Sequence, residues 1–166
     1  MTQPETHEPL AGDDLLRAVE HFAREGLDRH GLHDWTFRWD RAKRRMGLCR
    51  FTHKEISLSR PLTERNGLRR AQETILHEIA HALVGAGHGH DAVWRATVAA
   101  IGGRPERLVR VEVPVPAAWI GHCPTCGGWK PAHRRRRLFC RSCAVRYHGG
   151  WFDEQVEIVW ERADRC

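Results

Sequence analysis

The stretch His77-Glu78-Ile79-Ala80-His81 decides how the rest of this chain is read. It lies late on a segment, from about Asn66 to Val84, where Leu68, Ala71, Ile75, Ile79 and Leu83 recur at spacings of three and four, the period of a helix with one apolar face. Residues four apart on such a helix lie one turn apart on the same side, so both imidazoles can reach a single zinc ion. Glu78, about a third of a turn round, can take the proton of a water that the metal activates without ligating the metal itself. The pattern predicts amide hydrolysis with Glu78 as the general base.

A catalytic zinc takes a third protein ligand and keeps one position open. Gly85, Gly87 and Gly89 end the helix, and among them stand two candidates, His88 and His90. The metzincin pattern needs glycine at position 84 and histidine at 87, where this chain has Val84 and Gly87. Its only methionines, Met1 and Met46, precede the site, so no Met-turn can follow. A second helix is expected from about Asp91 to Ile101, stopped by Gly102-Gly103.

Upstream, residues 1–12 read as a polar, flexible leader. Asp13 or Asp14 then caps a helix whose apolar face is Leu15, Leu16, Val19, Phe22, Ala23 and Leu27, ending near Gly31. Residues 35–40 alternate large apolar with polar side chains, the period of a half-buried strand, and residues 41–47 form a basic turn. Further strands are expected at residues 48–52 and 55–59, giving three in meander order on which the helices pack. Residues 108–115 alternate again as a strand, and Pro114 and Pro116 mark a boundary near residue 117.

Beyond that boundary, Cys123-Pro124-Thr125-Cys126 and Cys140-Arg141-Ser142-Cys143 form two C-x-x-C knuckles with thirteen residues between them, the spacing of a four-cysteine zinc site. Four thiolates complete a tetrahedron and leave no place for water, so this zinc is structural. A thioredoxin-like redox pair would explain one knuckle but not two. Cys49 and Cys166 remain as free thiols. Between the knuckles, His133 and Arg134-Arg135-Arg136-Arg137 stand between Trp129 and Phe139. Guanidinium groups there can contact phosphates and an aromatic can stack on an unpaired base; the alternative is a solvated hairpin tip.

With these motifs together, the chain resembles the SprT-like zinc metalloprotease family, which includes the DNA-dependent protease Spartan. That family follows H-E-x-x-H with a histidine four residues before an aromatic; His90-Asp91-Ala92-Val93-Trp94 matches, with Asp91 for the usual glycine, whereas His88 has Ala92 at the aromatic position. The leading helix, the Trp35 strand, Gly47-Leu48-Cys49, Ile56-Ser57-Leu58-Ser59 and the paired-cysteine tail extend the likeness. The resemblance implies an α+β, zincin-like metalloprotease domain over residues 13–116, with helices packed on a small antiparallel sheet, then a small β zinc ribbon over residues 117–166. It also implies that His77, His81 and His90 hold zinc, that Glu78 is the general base, and that the substrate is protein near DNA, single-stranded or with unpaired regions. Trp94 is expected to pack and orient His90.

Composition agrees with a folded protein: 41% hydrophobic and 29% charged residues with seven tryptophans provide a core. The net charge of +6 is concentrated at the end, where residues 117–166 hold nine basic and five acidic side chains. No apolar run has the length of a membrane span and no secretory signal pattern begins the chain, so a cytoplasmic or nucleoid-associated protein is expected. There, cysteines serve as metal ligands rather than disulfides. Two other functions fit the same motifs: a non-catalytic nucleic-acid adaptor with two structural zincs, which would not need Glu78, and a hydrolase of a small amide, which would need a closed pocket.

Overall fold

The computed structural model describes residues 10–107 and 111–163 and divides the chain into two compact units, Met1–Val115 and Pro116–Cys166. Residues 1–9 of the expected leader, positions 108–110 of the expected strand and Cys166 lie outside the described residues. No helix of the described residues is long and apolar enough to cross a membrane.

In the first unit, α1 (Gly12–Arg29) buries Leu15, Leu16, Val19, Ala23 and Leu27, the side chains that share its apolar face. Its N-cap is Ala11, not Asp13 or Asp14, and no side chain caps it. Asp14 is turned along the surface to Arg17, 2.6 Å away, and both aspartates favour the positive end of the helix from within its first turn.

The strands β1 (Thr36–Asp40), β2 (Gly47–Arg50) and β3 (Glu55–Ser59) form a sheet in the order β1-β3-β2. This corrects the expected meander. The sheet is also mixed: β2 runs antiparallel to β3 and β1 parallel to it. The reason lies in β3, whose five residues are all buried, with Ile56 and Leu58 fully enclosed. The strand with least exposure takes the centre, flanked on both sides. Its polar side chains are satisfied there: Glu55 accepts from Arg38 (2.9 Å) and Arg50 (2.6 Å), and Ser57 donates to Asp40 (2.9 Å).

The long helix α2 (Arg60–Val84) is two helical stretches joined at Gly67, where φ is 76° and ψ is −179°. The second stretch carries the periodic face expected from residue 66. The first was not anticipated, although its signals stand in the sequence: Ser59 caps it by accepting from the Leu62 N–H, and Pro61 lies in its first turn. Helix α3 (Ala92–Ala100) follows, with Asp91 as its N-cap. The core joins α1, β3 and α2 through Val19, Ala23, Ile56, Leu58, Ala71, Ile75 and Ile79.

Residues 111–115 are not a strand, contrary to expectation. Their backbone is held by side chains instead: Asn66 accepts from the N–H groups of Glu112 and Val113 and donates to the Val113 carbonyl, each at 2.9 Å. Arg65 donates to the Pro114 carbonyl at 3.1 Å. With partners supplied this way, no neighbouring strand is needed.

The second unit contains an antiparallel sheet of β4 (Trp119–His122), β5 (Trp129–Ala132) and β6 (Val159–Arg162) in the order β5-β4-β6. It also contains a short helix, α4 (Arg141–Tyr147), that begins in the second cysteine knuckle and was not expected. Its core is small: Cys123, Cys143, Ala144, Val156 and Ile158.

Candidate functional site

The second stretch of α2 projects His77, Glu78 and His81, and the chain entering α3 returns His90 to the same place. The His90 Nε2 lies 3.0 Å from His77 Nε2 and 3.1 Å from His81 Nε2. These three residues form one of the two groups of side chains, among the described residues, that could hold a metal ion. His88 does not join them; its Nδ1 faces Asp91 Oδ2 at 2.7 Å, and Asp91 also accepts from the Trp94 N–H at 3.0 Å. Asp91 therefore caps α3 and holds His88 aside.

Trp94 is fully buried and its ring touches all three imidazoles, with centroids 4.7 Å from His77, 5.2 Å from His81 and 4.6 Å from His90. The expected packing against His90 is thus one third of its role. His77 Nδ1 is buried with no hydrogen-bond partner among the described residues, so ring packing on Trp94 supplies the orientation that a bond at that nitrogen often supplies.

Burial, reinforced by the neighbouring imidazoles, pushes His77 down to about 3 and His81 down to about 4, and burial with the charges of Arg107 and Arg95 lowers His90. All three are therefore neutral at ordinary pH, the form that presents a lone pair to a metal. A proton between three converging nitrogens satisfies only one contact, whereas a cation satisfies all three. Zinc about 2.0–2.1 Å from each nitrogen sets tetrahedral edges of about 3.3 Å, close to the spacing seen.

Glu78 is 7% exposed, and burial pushes its carboxyl up to about 8 against the opposing pull of Arg45 and the Cys49 N–H. The backbone of β2 passes directly over it: a Cβ on Gly47 would stand 2.6 Å from Glu78 Oε1 and 2.6 Å from Thr74 Cγ2, so only glycine fits here. Burial and the Glu78 charge push the Cys49 thiol up to about 12, which keeps it protonated and inert.

A cleft of about 280 Å³ opens between residues 44–48 and the face of α2 that carries Thr74, His77, Glu78 and His81, with His90, Arg107 and Val111 completing its lining. The three arginines in that lining, Arg44, Arg45 and Arg107, escaped the sequence reading. The signal available was the basic turn that ends at Gly47, whose direction depends on the sheet edge beside it.

In the second unit the four cysteines meet. The Sγ atoms of Cys123 and Cys143 are 3.8 Å apart, as are those of Cys126 and Cys140, and this is the other candidate metal group. Zinc about 2.3 Å from each sulfur sets tetrahedral edges of about 3.8 Å. Burial opposes ionisation of Cys123, but the N–H groups of Cys126 and Thr125 outweigh it and draw the thiol down to about 7. Cys143 is pushed up to about 12 by burial and by the surrounding sulfurs. One thiolate thus disfavours the next, and a cation at the centre removes that conflict.

The arginine loop is exposed, but two of its members cover the unit's own aromatics. Arg135 lies 4.5 Å from the Trp119 ring, while Arg137 lies 4.5 Å from the Phe152 ring and 3.4 Å from the Glu157 carboxylate. Arg134 and Arg136 are exposed and have no ion pair among the described residues. Trp129 and Trp151 are 68% and 79% exposed.

A family model described as the SprT-like family matches residues 14–114. No curated protein matches the chain.

Proposed function

Because the chain belongs to the SprT-like family, we propose that it is a zinc-dependent peptidase with a zincin-like catalytic unit, hydrolysing protein substrates associated with DNA. The observation that carries this reading is the convergence of His77, His81 and His90 through their Nε2 atoms at the mouth of a cleft that also contains Glu78. Zinc at the three histidines would supply Lewis-acid activation of a water and of the scissile carbonyl.

The chain's own residues do the rest. Glu78 accepts the proton of the attacking water and passes it to the leaving amine. Its burial raises its affinity for that proton, Arg45 and the Cys49 N–H oppose the rise, and the positive charge of zinc at the neighbouring histidines would draw it further towards the carboxylate that a base requires. Trp94 fixes the imidazoles so that none reorients during turnover. Strand β2 is at the edge of its sheet, and its Gly47 and Leu48 line the cleft, so an extended peptide can lie beside it. An open cleft bordered by a strand edge favours a peptide over a small amide.

Cys123, Cys126, Cys140 and Cys143 would hold a second, structural zinc. Exposed Arg134 and Arg136, with Trp129 and Trp151 on the same small unit, support a nucleic-acid partner with unpaired bases.

The test uses the full chain loaded with zinc and an unstructured protein substrate. Glu78→Gln should retain both metals and lower turnover by about 10²–10⁴-fold, the range for loss of a general base. Turnover equal to the parent's at equal zinc content would remove Glu78 from this role, and absence of cleavage by the parent, with and without single-stranded DNA, would leave the non-catalytic adaptor.

A further inference from the structure

The basic turn between β1 and β2 enters the chemistry above only through Arg45, yet it forms one wall of the cleft. Arg44 and Arg45 line that wall, and Arg107 lines the same cavity as Glu78 and the three histidines. Arg45 is already committed, donating to Asp40 at 2.6 Å. Arg44 and Arg107 are exposed, and neither has an ion-pair partner among the described residues. Nearby carboxylates are occupied: Asp40 by Arg45, Ser57 and the Ala42 N–H, and Asp91 by His88 and the Trp94 N–H. Exposed Glu106, next to Arg107 in sequence, forms no ion pair among the described residues either.

We propose that this cleft selects substrates with an acidic side chain beside the scissile bond, and that Arg44 and Arg107 are its recognition residues. The inference rests on the peptidase reading, because it takes the occupant of the cleft to be a polypeptide. The arginines share one small cavity with Glu78, so a group that reaches them belongs to a residue close to the attacked carbonyl. A glutamate or aspartate satisfies two unpaired guanidinium groups there. Leu48 and Val111, in the same lining, provide apolar surface for the methylenes of such a side chain, which a phosphodiester lacks. Among the described residues that line the cleft, buried Glu78 is the one carboxylate against three arginines, so a lysine or arginine would meet net like charge.

The experiment measures binding apart from catalysis. Zinc-loaded Glu78→Gln protein is titrated into labelled peptides that are identical except for Glu, Gln or Lys beside the central bond, and anisotropy is read at low and high salt. The Glu peptide should bind about three- to tenfold more tightly than the Gln peptide, the range for two exposed charge contacts. The Lys peptide should bind most weakly, and the differences should shrink as salt screens them. Adding Arg44→Gln and Arg107→Gln should erase the preference, and Arg44→Glu with Arg107→Glu should reverse it. Equal binding of all three peptides by the parent background overturns the proposal without requiring any arginine variant to fold. So does a cleft where Arg44 and Arg107 govern affinity for a single-stranded oligonucleotide but not the order of the peptides. The wild-type chain separates the two readings: selective binding without cleavage sinks the peptidase, and cleavage of all three peptides at one rate sinks the selectivity.

Discussion

The histidine cluster and the cysteine cluster both draw ligand atoms to a point, but they stand in opposite relations to the hydrophobic core. In the first unit the core runs through α1, β3 and α2 and includes none of the three histidines. The histidines are held from behind by Trp94, itself packed with Ala80 and Val98. In the second unit Cys123 and Cys143 are members of the core, and among the described residues their only fully enclosed companions there are Ala144 and Val156. The first unit thus has a core that stands apart from its three histidines, and one side of that cluster is open to a cleft. In the second, two of the four cysteines that could hold a metal are themselves part of what little core there is. A site serves reactivity where the fold already stands without it, and stability where the fold depends on it.

The largest effect follows directly. Cys143→Ser, or removal of metal by a chelator, should unfold the second unit, because apparent zinc energies of about 10–16 kcal/mol exceed anything so small a core supplies. Protease digestion should then cut throughout residues 116–166 and spare the first unit. A chelated protein that keeps the second unit's protection would put its stability in the aromatic packing around Trp119 and Phe152 instead.

A smaller effect sharpens the other side of the comparison. His90→Ala should weaken metal at the histidine cluster by more than the roughly 10–100-fold that outer contacts are worth, while His88→Ala stays within that range. In both variants the first unit should keep its melting behaviour. Chelator competition ranks the two affinities. The reverse order would mean that His88 swings in when metal binds, releasing Asp91.

These contrasts show what sequence can and cannot convey. The His77–His81 spacing and both C-x-x-C knuckles are local, so helix and knuckle geometry suffice to bring their atoms together. The register of His90 depended on Trp94, an aromatic one turn on, and the structure places that ring behind the whole cluster. Strand order was not legible, since alternation reports which face is buried but not which neighbour is paired; only the complete burial of β3 explains its central place. The same limit hid Arg44, Arg45 and Arg107 from view, because turn and loop residues face wherever the sheet edge sends them. Residues 111–115 misled because alternation of valines resembles a strand even when Asn66 takes the backbone. Helix α4 has seven residues, too few for its period to register.

The smallest expected effect concerns Asp40, which ties the cleft wall to the sheet. Burial opposes its ionisation, but Arg45, the Ala42 N–H and Ser57 together hold its carboxyl below the usual value. A carboxyl lowered on folding contributes stability that is fully present above its unfolded pKa of about 3.9 and is lost as pH falls through the folded value. Asp40→Asn should therefore cost the first unit about 1–3 kcal/mol at neutral pH, the range for losing hydrogen bonds to a charged group. The difference from the parent should narrow below about pH 4, where the unfolded parent begins to take up the proton that the folded carboxylate still refuses. Denaturant titrations of the first unit across pH 3–7 test this, and the second unit, which contains none of these residues, should show no difference at neutral pH. A gap between parent and variant that stays constant down to pH 3 would mean that the shape of the Asp40 side chain, and not its charge, holds residues 41–46 against β3. The arginines of the cleft would then owe their position to packing, and the first unit would be as insensitive to acid at its cleft as at its core.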